Sequence, residues 1–236
     1  MSFEEKYAQI LTGVGLESFA GASYASRFAS LLTDLVSFNE KVNLTAITDE
    51  DGIILRHFAD CLTVAELLPE NADVCDVGCG GGFPTLPIAI ARPDISVTAL
   101  DSTAKKLVFV EECAKKYALP VKTLAGRAEE YFRTPAYREH FDAVVSRAVA
   151  ALPILSELCL PAVKVGGLFL AMKGASADEE LAAADKAIRT LGGEVIGQKR
   201  FSLGDAGERC IIVVRKIGKS PEKYPRAFGA IKKKPI

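Results

Sequence analysis

After residue 70 the chain settles into an alternation. Short β-rich runs at 73–77, 96–101, 121–124, 141–146 and 167–172 are separated by helix-like stretches near 84–91, 103–118, 150–163 and 177–191. Strands that alternate with helices are joined by crossovers, which lay the strands parallel and cover both faces of the sheet. Two more strand runs, near 194–201 and 209–216, follow with no clear helix between them and read as a hairpin-like edge with one antiparallel strand. The expectation is an α/β chain with a mostly parallel, seven-stranded sheet.

Residues 3–67 have a different period. Phe28, Leu31, Leu32, Leu35 and Phe38 keep helical spacing, and from about Glu50 to Leu67 the residues Ile53, Ile54, His57, Cys61 and Val64 share a stripe, with Pro69 helping to end it. Beyond Gly218, prolines and glycines precede a lysine run and suggest an extended arm. Three parts are therefore expected: a helical segment over 1–69 packed on the main domain, a ligand-binding domain over 70–217, and a basic arm over 218–236.

The first strand runs into Asp-Val-Gly-Cys-Gly-Gly-Gly at 76–82, with Phe83 and Pro84 next. Four glycines in seven residues cost backbone entropy, so something must come close to this turn. A strand–turn–helix at the carboxyl edge of a parallel sheet is where open α/β folds bind ligands. The spacing is D-x-G-x-G-x-G. A dinucleotide fingerprint would need glycine at 83, where Phe83 stands. Asp101 ends the next strand, placed to accept both hydroxyls of a ribose, although it could instead cap the following helix. Asp76, Gly78, Gly80, Gly82 and Asp101 are thus candidate nucleoside contacts. In the turn after the third strand, backbone Ala128 and Glu129 are placed to read an adenine; Glu129 could equally be an acid opening a short helix.

Charge adds a second clue. From Lys199 to Ile236 there are eleven Lys or Arg against three Asp or Glu, whereas the whole chain carries −1. A basic end on an acidic body suits contact with a polyanion, or a solvated tail. Six scattered cysteines form no zinc-like pairs, and only His57 and His140 are available as imidazole ligands, so no metal site is expected. No apolar run reaches the ~18 residues of a membrane span. With no signal core at the N-terminus, the chain is expected in the cytoplasm, as a monomer with no membrane partner.

Together these pieces resemble class I S-adenosylmethionine-dependent methyltransferases, which have a Rossmann-like fold. The ordered series NEKVNLTAITDEDGIILRHFADCL, DVGCGGGFPTLPIAI, LDSTAKKLVFVEE, GRAEE, SRAVA, LAMKG and KYPRAFGAIKKKP is similar to the RsmG family, also called glucose-inhibited division protein B, over about Phe38 to Pro235. The resemblance implies methylation of N7 of a guanine in the helix 18 decoding-site loop of 16S ribosomal RNA, in free RNA or a small-subunit precursor. It implies S-adenosylmethionine contacts at Gly78, Phe83, Asp101, Ala128, Glu129 and Arg147, with Phe83 as an apolar wall. The chain departs from the family pattern at Cys61, usually Ser, and at Cys79, usually Thr, Ser or Ala.

The residues agree with that chemistry. The fourth strand ends Ser146-Arg147-Ala148-Val149, without the proline–aromatic motif of amine methyltransferases, and Cys159 reads as core rather than as a nucleophile. Guanine N7 has an in-plane lone pair and no proton to lose, so orientation and electrostatics suffice and no catalytic base is required. Arg147 and Lys173 are candidate substrate orienters, with Arg147 also able to meet the cofactor carboxylate. Lys173, Arg226, Lys232, Lys233 and Lys234 are candidate RNA contacts. His57 and Asp60 are read as ordering Asn39–Thr45 over the site. Competing readings are a methyltransferase of this fold with another RNA or protein target, a nicotinamide-dependent oxidoreductase, and a non-catalytic RNA-binding ribosome assembly factor.

Overall fold

The central strand β1 (Asp73–Val77) is buried from Val74 onward, as both-face coverage demands. In the computed structural model, which describes residues 1–236, six further strands join it: β2 (Ser96–Asp101), β3 (Val121–Ala125), β4 (Phe141–Arg147), β5 (Val163–Lys173), β6 (Gly193–Ser202) and β7 (Glu208–Lys216). Their order is β3-β2-β1-β4-β5-β7-β6. The first five are mutually parallel, and β7 runs antiparallel to both β5 and β6. This is the expected mostly parallel, seven-stranded sheet with an antiparallel edge. Strand order reverses between β1 and β4, which opens a crevice at their carboxyl ends.

Successive side chains of a strand point to opposite faces, and two apolar cores result. Ala143 and Val145 of β4, Leu170 of β5 and Ile211 of β7 enter one core; Val144, Phe169, Ala171 and Ile212 enter the other. The first core is shared with the N-terminal helices α1 (Phe3–Gly13) and α2 (Ala22–Asn39). A capping box between Ser2 and Glu5 starts α1. Tyr7 of α1 stacks on Phe28 of α2 at 5.3 Å between ring centroids, and Phe28 meets Phe58 at 4.8 Å.

Phe58 lies in a continuous helical run: α3 (Glu50–Ile53), a π-helical turn over Ile54–Ala59, and α4 (Asp60–Ala65). The remaining helices are α5 (Thr85–Ala91), α6 (Ala104–Lys116), α7 (Ala128–Tyr131), α8 (Leu152–Cys159), α9 (Ala177–Thr190) and α10 (Phe228–Lys233). None is long and apolar enough to cross a membrane. The arm after Gly218 is not simply extended: α10 forms in it, and Ile231 is fully buried in the second core.

Candidate active site

The glycine turn closes on itself. Gly78 and Cys79 N–H both donate to Leu100 O, Gly82 and Phe83 N–H both donate to Cys79 O, and Gly80 N–H donates to Asp101 Oδ2 at 2.9 Å. With those amides turned inward, the loop is not a cradle for a pyrophosphate, which needs outward-facing N–H groups. The glycines have separate duties. All of Gly78, Gly80 and Gly82 have φ between 55° and 87°, where side chains are strained. A Cβ on Gly78 would strike Val149 and one on Gly82 would strike Leu86, whereas a Cβ on Gly80 would meet nothing within 4 Å. Gly80 therefore borders open space, and Gly78 and Gly82 serve close packing.

That space is a cleft of about 450 Å³, with Gly78, Gly80, Phe83, Asp101, Ala128, Glu129 and Arg147 in its wall. Asp101 stands between two turns, its Oδ1 accepting from Thr103 N–H at 2.7 Å. Each carboxylate oxygen accepts one backbone N–H group and retains a second acceptor site. Ala128 and Glu129 open α7; Glu130 N–H donates to Arg127 O at 3.1 Å, whereas the Ala128 and Glu129 N–H groups, the first two of the helix, have no backbone acceptor. Glu129 is 7% exposed. The wall thus carries an acid at Asp101, two amides and an acid at Ala128–Glu129, and the Phe83 ring, groups that could hold a nucleoside.

Two of the expected contacts are corrected. Asp76 and Gly82 do not line the cleft. Asp76 is wholly buried, and its Oδ2 accepts from Thr85 N–H at 3.1 Å and Thr85 Oγ1–H at 2.7 Å, so it caps α5 instead. Its Oδ1 has no partner. Burial raises its pKa to about 7, against the Thr85 hydrogen bonds that favour the charged form.

A second hollow of about 670 Å³ adjoins the first and shares His57, Arg147, Ala148 and Val149 with it. Arg147, at the end of β4, donates to Asp60 Oδ2 at 2.8 Å and to Arg56 O at 2.9 Å, with His57 Nδ1 3.3 Å away. His57 Nε2 lies 2.7 Å from Thr45 Oγ1, and Asn39 ties down Leu44 and Thr45 N–H through its Oδ1. Leu44 lies against Gly81, so this network holds residues 39–45 beside the glycine turn. The His57 ring stacks on Phe83 at 4.6 Å. Burial, helped by the Arg147 charge, lowers its pKa to about 4, so the imidazole is neutral at pH 7.

The expected RNA contacts divide. Lys232, Lys233 and Lys234 lie exposed at the end of α10. Lys173 is only 8% exposed, bound to Glu180 at 2.7 Å and to Ala150 O at 2.7 Å, although it does border the second hollow. Arg226 is corrected: its Nε and Nη2 grip Glu157 at 2.8 and 2.6 Å, and it is not a free cation. A signal for this pairing stands in the sequence, because Glu157 is the sole charge in the apolar run LPILSELCL and so needs a partner. Sequence reading also missed Leu44, Lys106, Val149 and Phe228 in the cleft wall.

Comparison with known proteins agrees with this geometry. A family model described as rRNA small subunit methyltransferase G matches residues 25–208. The chain is 48% identical over 216 residues to "Ribosomal RNA small subunit methyltransferase G" of Lactobacillus delbrueckii subsp. bulgaricus, covering 89% of this chain and 90% of that one. It is 45% identical over 228 residues to the protein of the same name from Geobacillus thermodenitrificans, covering 95% and 94%. Among solved structures, an O-methyltransferase from Bacillus cereus in complex with SAH superposes with a TM-score of 0.54 at 17% identity, over 79% of this chain and 91% of that one. At that identity the likeness shows the fold alone.

Proposed function

The chain belongs to the small-subunit ribosomal RNA methyltransferase G family, and we propose that it methylates N7 of a guanine in the helix 18 loop of 16S ribosomal RNA. The methyl donor is S-adenosylmethionine, which supplies an activated methyl group on a sulfonium. The observation that carries the reading is the cleft at Gly80 and Asp101: open space over a strained glycine, closed by a ribose-binding acid, with inward-turned amides that disfavour a dinucleotide. Asp101 would hold the ribose, Ala128 and Glu129 the adenine edge, and Phe83 the apolar part of the methionine chain.

The target then occupies the adjoining hollow. Arg147 stands on the wall common to both spaces, fixed by Asp60, Arg56 and His57. It contributes a rigid positive charge where methionine carboxylate and guanine meet, without having to be reorganised during the reaction. The neutral His57 holds Thr45 and stacks on Phe83; it moves no proton. Guanine N7 needs none moved, and aligning it in line with the methyl group at roughly 3–3.5 Å is what the protein must achieve. Lys173 borders the target hollow, and Lys232–Lys234 meet RNA phosphates. Specific RNA recognition favours unstacked loop bases, which suits a guanine turned into such a hollow.

The direct test maps modified nucleotides in 16S RNA from cells with and without the protein. One N7-methylated guanine in the helix 18 loop should vanish in its absence and return on complementation. An unchanged modification map would overturn the reading.

A further inference from the structure

The C-terminal arm is fastened to the body more firmly than RNA binding by its lysines requires. Arg138 donates to Tyr224 O and Ser220 O, each at 2.7 Å, and Arg133 donates to Pro225 O at 2.6 Å. Lys216, wholly buried, donates to Leu160 O at 2.7 Å and meets Ser220. The central tether is Glu157, 0% exposed on α8, which receives the Arg226 backbone N–H at 2.8 Å as well as its guanidinium. Taking a carboxylate fully out of water is expensive, and removing either partner of such a pair leaves the other uncompensated.

That geometry sets Phe228. Two residues after Arg226, it opens α10 and lines the cleft that Gly126, Ala128 and Glu129 also line. The Arg127 guanidinium lies over its ring at 5.6 Å. Leu158, which follows Glu157 on α8, lines the same cleft. An aromatic ring in the cleft wall, against Arg127 and next to the Ala128–Glu129 turn, is therefore anchored two residues from a buried charged tether.

We propose that Phe228 is the stacking wall for the adenine of the bound nucleoside, and that the Glu157–Arg226 pair is the device that positions it. The arm is then a working part of the cofactor site as well as the carrier of the lysines. Phe228 opens the short helix α10 and the lysines close it, so ordering the arm serves both ligands. This inference rests on the proposed nucleoside site.

S-adenosylhomocysteine binding to the full-length protein tests it by calorimetry. Phe228→Ala should weaken binding about 5-fold or more, the usual penalty when an aromatic leaves a base stack, while Phe228→Tyr keeps wild-type affinity. The chain has no tryptophan, so Phe228→Trp gives a single emission reporter that should respond to S-adenosylhomocysteine with the calorimetric midpoint. Arg226→Gln alone strands a buried charge at Glu157, so the pair is replaced together by Glu157→Gln and Arg226→Gln. That replacement should weaken binding in wild type but add nothing in the Phe228→Ala background, because it acts through the ring; general destabilisation would add. A wild type that binds while Phe228→Ala binds equally well overturns the inference alone. Fully additive effects overturn the positioning role. A wild type that binds no S-adenosylhomocysteine overturns the underlying nucleoside site and the inference with it.

Discussion

Arg147 and Asp60 form a 2.8 Å ion pair that ties the end of β4 to the start of α4, with Asp60 only 7% exposed. Arg209 of β7 approaches the other carboxylate oxygen at 3.3 Å. One buried acid thus holds the N-terminal helices, the central sheet and the antiparallel edge at the point where the two hollows meet. Asp60→Ala should destabilise the protein by about 3–5 kcal/mol, since it leaves Arg147 buried without its counter-charge. Urea unfolding would measure this. Stability within about 1 kcal/mol of wild type would mean that the pair does not join these elements.

Asp76 makes an opposite kind of contribution. Burial raises its folded-state pKa from 3.8 to about 7. For a raised pKa, the associated stability is fully present below the unfolded-state value and is lost as pH rises through the folded-state value. Between about pH 5 and pH 8, wild type should therefore lose on the order of 2–3 kcal/mol relative to Asp76→Asn, which keeps an acceptor for Thr85 and cannot ionise. Parallel stability–pH curves for the two proteins would contradict a buried, protonatable Asp76.

For the cofactor, Asp101→Ala should weaken S-adenosylmethionine binding by about 1.5–3 kcal/mol, the worth of charge-assisted hydrogen bonds. Gly80→Val should weaken it as well. The added side chain projects into the cleft and is forced into a φ of 55°. Calorimetry finding both variants at wild-type affinity would remove the cleft from consideration as the cofactor site.

The parts of this architecture legible in the sequence are those set by local pattern. The β/α alternation, the glycine turn and Asp101 at the end of β2 are each written within a few residues. What was hidden depends on distant partners. Helical spacing puts His57 on one stripe with Ile53 and Cys61, but the π turn over Ile54–Ala59 shifts the helical frame, and the ring stacks on Phe83. Arg226 reads as a free cation because its partner, Glu157, lies 69 residues away. Asp76 looks like a ligand contact until its burial beneath α5 is known.

The exposed lysines of α10 predict a salt effect. Neutralising Lys232, Lys233 and Lys234 together should weaken RNA binding and flatten its salt dependence by about 0.7–0.9 log–log units for each phosphate no longer neutralised. Filter binding of a 16S fragment across a salt series would show it. Unchanged affinity and slope would reduce these lysines to a solubilising extension.

The attacking atom decides how the rate depends on pH. With His57 held neutral by burial and Arg147, its pKa of about 4 lies well below the working range. A guanine N7 nucleophile has no proton to give up, so the single-turnover rate with RNA and cofactor saturating should stay nearly flat from about pH 6 to 8.5. Protein stability behaves differently, because His57 has a depressed folded-state pKa. Its contribution is complete above about 6.5 and is lost as pH falls toward 4. His57→Ala should reduce activity by loosening Thr45, without creating a new titration. Replacing the target guanine by 7-deazaguanine should abolish transfer, because carbon then stands where the nitrogen lone pair attacked. Full methylation of the 7-deaza RNA would exclude N7. A rate that rises with a pKa near ~6.5 and loses that dependence in His57→Ala would identify the imidazole as a base rather than a positioning group.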